Sequence, residues 1–234
     1  MLRLGVSLCL MCLLVAAAGA AYAARPTPAV FRVTLTATLT KDWTFSRTEA
    51  EVGCTRTIRG VGHWRTRLAT RTSARVRAFP ARDGRVGFSG ATLRAIAGTA
   101  TRSGTMTITT RGAPPCDRLA RTVRCGEERR TLRGGSVSFG SPRRGVIRFR
   151  RLRGASSIRS FDSICPEEPS NIRAIRTDLP LATGPLDASD VFARDVRRWF
   201  VTGDSQQVTN IEGEAPGRVT ERVRWTLTFT RLAR

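Results

Sequence analysis

Val30-Phe-Arg-Val-Thr-Leu-Thr-Ala-Thr-Leu-Thr40 alternates without a break: Phe31, Val33, Leu35, Ala37 and Leu39 hold one parity, and threonines dominate the other. A period of two marks a strand with one buried and one wet face. The far end of the chain repeats the pattern, with Val219, Val223, Trp225, Leu227 and Phe229 opposite Thr226, Thr228 and Thr230. Two such bookends predict a sheet that closes by pairing its first strand with its last, so that Phe31 to Leu39 meet Trp225, Leu227 and Phe229.

Working inward, the stretch from His63 to Phe79 carries Trp64, Leu68, Val76 and Ala78 at even positions and Arg65, Arg67, Arg71, Arg75 and Arg77 at odd ones. It reads as one long bent strand or as a hairpin turning near Thr72 to Ala74; either way the five arginines share a face. Pro80 and Asp83-Gly84 end it, and shorter strands follow at Arg85–Ser89, Ala91–Ala97 and Gly104–Thr110. Gly112 to Gly135, with Cys116 and Cys125, reads as a disulfide-stapled surface excursion. Strands at Ser136–Phe139 and Gly145–Leu152 flank the basic turn Ser141-Pro-Arg-Arg-Gly145. Ala155–Phe161 reads as a further strand, Cys165–Pro169 as an acidic loop, Ser189–Arg194 as one helical turn plugging an end of the fold, and Val196–Thr202 as strand.

The sum is all-β: a single-domain antiparallel β-barrel or β-sandwich of about ten strands with at most one short helix. A transmembrane barrel would need aromatic girdles at both interfaces, and the aromatics here are too few to form them.

Arg3, the apolar run from Leu4 to Ala18 and the small residues of Ala21-Tyr22-Ala23 predict a secretory signal peptide over 1–23. Removing 23 residues from 234 leaves 211 residues, 24–234, enough for one core. Cys54, Cys116, Cys125 and Cys165 remain, an even number in an exported chain, hence two disulfides. The short polar loop between Cys116 and Cys125 favours that pairing, with Cys54–Cys165 by elimination. Zinc is disfavoured because paired C-x-x-C spacing is absent and His63 is the only histidine.

Lys and Arg number 40 against 18 Asp and Glu, a formal charge of +22. GC-rich coding accounts for arginine over lysine, since Lys41 is the only lysine, but not for the excess over acids. A surface so self-repelling calls for an anionic partner. Arg65, Arg67, Arg71, Arg75 and Arg77 form one candidate anion-binding face, and Arg143, Arg144, Arg148 and Arg150 a second, because guanidinium matches carboxylate and phosphate bidentately. The plainer reading is a solvated face whose arginines cover apolar surface with their stems. Export and the lack of interleaved aromatics argue against nucleic acid and for an anionic envelope polymer or lipid headgroups.

Catalytic signals are sparse. His63 sits on a predicted strand, Gly87-Phe-Ser-Gly90 is one residue short of a nucleophile elbow, and Glu127, Glu128, Glu167 and Glu168 read as local counter-charges. The sequence therefore points to no catalytic residues, no metal and no cofactor. The expectation is a non-enzymatic, extracytoplasmic anion binder; the alternatives are a lipocalin-like binder of a small apolar ligand in a barrel interior and a secreted hydrolase.

The opening V-x-L-x-A-x-L strand followed by Trp43-Thr44 and a cysteine, the Leu186 to Phe192 segment before a strand, and the final Trp-x-Leu-x-Phe strand together resemble uncharacterised secreted β-rich proteins of high-GC actinobacteria. The resemblance implies export and a β fold, and it carries no activity or catalytic residue across.

Overall fold

The computed structural model describes residues 28–112, 116, 119–143, 146–159, 165, 172, 178–179, 187–193 and 196–232; the expected signal peptide at 1–23 lies outside them. In chain order they form β1 (Ala29–Glu51), β2 (Cys54–Thr70), β3 (Ala74–Pro80), β4 (Val86–Phe88), β5 (Ala91–Gly112), β6 (Ala120–Arg143), β7 (Val146–Phe149), α1 (Ser156–Arg159), α2 (Ala188–Phe192), β8 (Arg198–Ile211) and β9 (Gly217–Arg231). The chain is an all-β domain built on one antiparallel sheet, ordered β8-β9-β1-β2-β5-β6-β7, with β3 extending the line of β2 along β1 and β4 beside β3.

The bookends are neighbours: Val33 faces Phe229, Leu35 faces Leu227 and Ala37 faces Trp225. They lie in the middle of the sheet, however, and do not close it. The seven-strand run ends at β7 and β8, with β4 paired only to β3, and among the described residues no ladder joins β7 to β8. The sheet instead curls over its buried face. Phe139 of β6 reaches Phe229 of β9 at 6.5 Å although β1, β2 and β5 lie between them, and Phe149 of β7 meets Trp225 at 4.7 Å. The result is an open roll. Its interior is filled where the edges approach, with Trp199 stacked on Phe229 at 3.9 Å and Phe88 and Phe31 packed against both. Rings thus occupy the level at which a lipocalin-like lumen would open.

Four readings change. Ala91–Ala97 and Gly104–Thr110 are one strand, β5. The excursion expected over 112–135 is largely β6, which pairs with β5 through register shifts that interrupt its alternation. Over the described part of Ala155–Phe161 the chain makes α1 and not a strand, burying Ile158. The disulfides are Cys54–Cys116 and Cys125–Cys165, not Cys116–Cys125 and Cys54–Cys165. The reason is parity and register. Cys125 points inward and is buried beside the strand partner Gly104, next to which Cys165 lies, whereas Cys54 faces Gly112 at the other end of β5, against Cys116. The bonds span 62 and 40 residues of chain. By loop-closure entropy each stabilises the fold by about 4 kcal/mol. The helical turn stands as α2, capped by Asp187, whose carboxylate accepts from the Ser189 amide at 2.8 Å and is held below the usual range by that bond. Glu167 and Glu168 lie outside the described residues.

Large rings are seated by cross-strand glycines. Trp43 lies over Gly62, Phe45 over Gly60, Trp225 over Gly203 and Phe79 over Gly87, each pair in register. A Cβ on Gly62 would stand 2.0 Å from the Trp43 ring.

A charged row crosses the same buried face. Glu221, Lys41, Trp64, Arg102 and Glu128 align laterally over β9, β1, β2, β5 and β6. Lys41 is 3 % exposed and Arg102 0 %. Lys41 Nζ lies 3.5 Å from Glu221 Oε1, the Arg102 guanidinium sits over the Trp43 ring at 5.0 Å, and Glu128 accepts from Arg130 Nε at 2.6 Å. Burial pushes the Lys41 ammonium below its ordinary 10.5, against the pull of Glu221.

Two outcomes follow. Gly62→Ala, forced against an indole that cannot retreat from the core, lowers unfolding stability in urea by about 1–3 kcal/mol. For Lys41, both folded and unfolded states are protonated below its lowered folded value; as pH climbs from there to 10.5 the folded state sheds its proton first, so stability rises. Among the described residues no tyrosine or free thiol competes in that window. The urea midpoint therefore increases as pH rises from the lowered folded value of Lys41 towards its ordinary 10.5, and Lys41→Met flattens the profile.

Candidate functional site

The register settles how β2 passes into β3. Thr36 faces Ala69, yet Val33 faces Ala74, so the β2–β3 line gains two residues on β1 between these pairs. Two extra residues preserve parity. Arg65, Arg67, Arg71, Arg75 and Arg77 consequently stay exposed on the outer face while Leu68, Val76 and Ala78 stay buried. The segment is therefore no hairpin: β2 and β3 follow one another along β1 across a bend at 71–73, and Thr70 secures the bend by accepting from the Leu35 amide at 3.0 Å.

Alternate residues of a strand lie about 6.5–7 Å apart, so the five arginines form a column with fixed spacing. Their lateral neighbours carry no acid. Arg65 lies between Thr40 and Thr101, Arg67 between Thr38 and Thr99, and Arg75 faces Arg32. Among the described residues none of the five makes an ion pair, whereas acids elsewhere on the surface are engaged. Asp204 takes Arg222 at 2.7 Å and Arg224 at 3.2 Å, and the Arg222 hydrogen bond leads in holding its carboxyl low. Glu49 lies between Arg47 and Arg56.

At the bend the column meets β5. The Arg71 amide donates to the Ala95 carbonyl at 3.1 Å, and Thr72 Oγ1 donates to the Arg94 carbonyl at 3.3 Å. Ala95 has a φ of 52°, a left-handed conformation that strains an alanine by roughly 1–2 kcal/mol and interrupts the alternation of β5. Leu93 and Ile96 both face inward across this break, and Arg94 faces out.

Arg94 opens onto a cleft of about 540 Å³ lined also by Thr92, Gly134, Ser136, Ser138, Arg150, Arg151 and Arg153. Backbone bonds fix its wall: the Arg150 amide donates to the Ser138 carbonyl at 2.8 Å and the Arg153 amide to the Ser136 carbonyl at 2.8 Å. Thr92 Oγ1 and Ser138 Oγ share a hydrogen bond of 2.8 Å. Among the described residues the lining holds four arginines and three hydroxyl side chains and no carboxylate. A second cavity of about 850 Å³ adjoins it through Thr92, Ser138, Arg150 and Arg151, and adds Arg148, Ser141 and the rings of Phe88, Phe139 and Phe149.

Of the arginines singled out from sequence, five form the column, Arg150 lines the cleft and Arg148 the adjoining cavity. Arg143 ends β6 with its side chain outside the described residues, and Arg144 lies outside them altogether. Arg94, Arg151 and Arg153 were missed. The Arg148-x-Arg150-Arg151-x-Arg153 run signalled two of them; nothing local marked Arg94, which arrives through the register break.

Asp42, His63 and Ser103 align across β1, β2 and β5, and Asp42 Oδ1 bonds His63 Nδ1. These are the residue types of a serine nucleophile, base and orienting acid. The row lies on open sheet, with His63 and Asp42 side chains 48 % and 60 % exposed, and the surrounding amides belong to the ladders and cannot serve as oxyanion donors. Among the described residues no group of three or more His, Cys, Asp or Glu could hold a metal ion.

Four uncompensated arginines in one cleft repel one another, and salt screens that repulsion from a Debye length of about 30 Å at 0.01 M to about 3 Å at 1 M. The double variant Arg150→Gln/Arg153→Gln therefore melts at a higher temperature than the parent at low salt, and the difference closes near 1 M salt. No protein-family model matches the chain, and no curated protein matches it in sequence.

Proposed function

We propose that this chain is an exported, non-enzymatic β-protein that binds an anionic polymer at the cell envelope through its outer arginine column. The observation that carries this reading is the column itself: Arg65, Arg67, Arg71, Arg75 and Arg77 exposed on one face, Arg65 and Arg67 between threonines and Arg75 opposite Arg32, with no acid paired to them among the described residues. Arg65 faces Thr40 and Arg77 faces Val30, so the strand line covers ten residues of β1, roughly 33 Å. That length suits an extended polymer carrying repeated charges better than a single small anion.

Export is supported by the leader read over 1–23 and by the two disulfides, which persist in oxidising compartments. No helix among the described residues is long and apolar enough to cross a membrane. Binding is the reading favoured over catalysis because the Asp42, His63 and Ser103 row lies on exposed sheet whose described amides are engaged in the strand ladders.

Dextran sulfate and polyphosphate are suitable probes. Their affinity should fall steeply and log-linearly with salt as counterions are displaced, and neutral dextran should not bind. Replacing Arg65, Arg67, Arg75 and Arg77 together by Gln should weaken dextran sulfate binding by about ten-fold or more at low salt and reduce the salt slope. An affinity that stays flat as salt rises removes the electrostatic basis of the reading.

A further inference from the structure

We propose that the cleft at the corner of β5, β6 and β7 is a separate site for a single amphiphile, one whose head is a tetrahedral oxyanion ester, phosphate or sulfate, and whose tail is a short apolar chain. The proposal rests on the polyanion reading only in that both use arginine; its site, ligand and test are different.

The head compartment is chemically one-sided. Arg94, Arg150, Arg151 and Arg153 line it with Ser136 and Ser138, and among the described residues no carboxylate does. Guanidinium groups and hydroxyls together satisfy the several lone pairs of a tetrahedral oxyanion, and the backbone bonds of Arg150 to Ser138 and of Arg153 to Ser136 fix the wall that carries them before a ligand arrives. The column on β2 and β3 differs, since its register neighbours Thr38, Thr40, Thr99, Thr101, Arg32 and Val30 lie on paired strands of the sheet.

The adjoining compartment differs in character. Phe149, half-buried, enters its lining beside the arginines it shares with the head compartment, backed by Phe88 and Phe139, which are almost wholly buried. Phe139 and Phe149 lie 6.0 Å apart and are anchored behind by Phe229 and Trp225, so this apolar floor belongs to the core and is rigid. Its volume of about 850 Å³ falls within the range of small-molecule sites. Gly90 and Gly140 contribute no side chains that would cover the rings, and the space they leave is not forced by packing: a Cβ at Gly140 would come no closer than 3.8 Å to Gly90 Cα. An anion with no tail would leave the rings unused, and a neutral tail would leave the arginines unpaired. Only a molecule carrying both parts uses the whole groove.

Calorimetric titration of the full chain with octyl phosphate, octyl sulfate, inorganic phosphate and octyl glucoside, below their micelle concentrations, tests this. Octyl phosphate or octyl sulfate should bind about ten-fold or more tighter than inorganic phosphate, the better of the two identifying the head, and octyl glucoside should not bind measurably. Arg150→Gln/Arg153→Gln should weaken the octyl ester by about ten-fold or more and leave most dextran sulfate binding in place. The four-arginine column variant should do the reverse. Gly140→Leu, which leaves every arginine, should bring the octyl ester down towards inorganic phosphate while inorganic phosphate is unchanged, with far-UV circular dichroism confirming the fold. Equal affinity for the octyl esters and inorganic phosphate overturns the proposal, as does an octyl ester insensitive to the cleft variants; neither result touches the polymer reading, which falls only on its own salt and column tests.

Discussion

The structure depends on Phe229. A sheet whose first and last strands sit side by side at its centre has two free edges, and its buried face must be covered by the sheet itself. Phe229 makes that possible by gathering rings from strands far apart in the sheet: Trp199 of β8 at 3.9 Å, Phe88 of β4 at 5.4 Å, Phe31 of β1 at 6.2 Å and Phe139 of β6 at 6.5 Å. Side chains of this size bury 150–250 Å² each in general and span a gap that aliphatic residues would leave open. Curling then fixes everything else by parity. Whatever shares the register of Phe229 goes inside, and every arginine on the opposite parity of β2 and β3 goes out.

The same rule explains the polar residues in the interior. Lys41 lies between Leu39 and Trp43 in the inward series of β1, and Glu221 lies between Val219 and Val223 in that of β9. Neither could turn outward without reversing its strand. Register places them opposite each other, so the buried ammonium has its carboxylate, and Arg102 has the face of Trp43. Buried pairs of this kind stabilise little in net terms and fix alignment instead, because a slip of β9 along β1 would strand Lys41 without Glu221.

How much of this was legible follows from the same physics. Alternation in 30–40 and 218–232 fixed which residues face inward and that the two strands meet, and it placed five exposed arginines on one face. It also held an unread signal: Lys41 and Glu221 each break an otherwise apolar parity series, and two such breaks that fall opposite each other in an antiparallel pair mark an interior ion pair. The disulfide pairing was hidden because it depends on the register shifts within β6, which set where Cys125 points, and on where Cys116 falls against β2. Arg94 was hidden for a similar reason, since a left-handed Ala95 leaves no trace in the alternation of residue types. Period-two patterns show faces; they do not show breaks in register.

The placement of the acids decides what the arginine surface can do. Asp204, Glu49, Glu128 and Glu221 each neutralise cations in their own neighbourhood, and none faces the column or the cleft. The column and the cleft therefore keep positive charge that none of these acids offsets. Concentrated like charge opposes folding. Here the two cross-links and the ring-filled interior hold the chain against that repulsion, and the sheet keeps the guanidinium groups of the column at strand spacing. A flexible basic tail would relax by spreading out and would have to be gathered again on binding. In this fold the repulsion is already present in the free protein, so an arriving anion relieves it without ordering any backbone, and the rigidity that strains the surface is what makes it receptive.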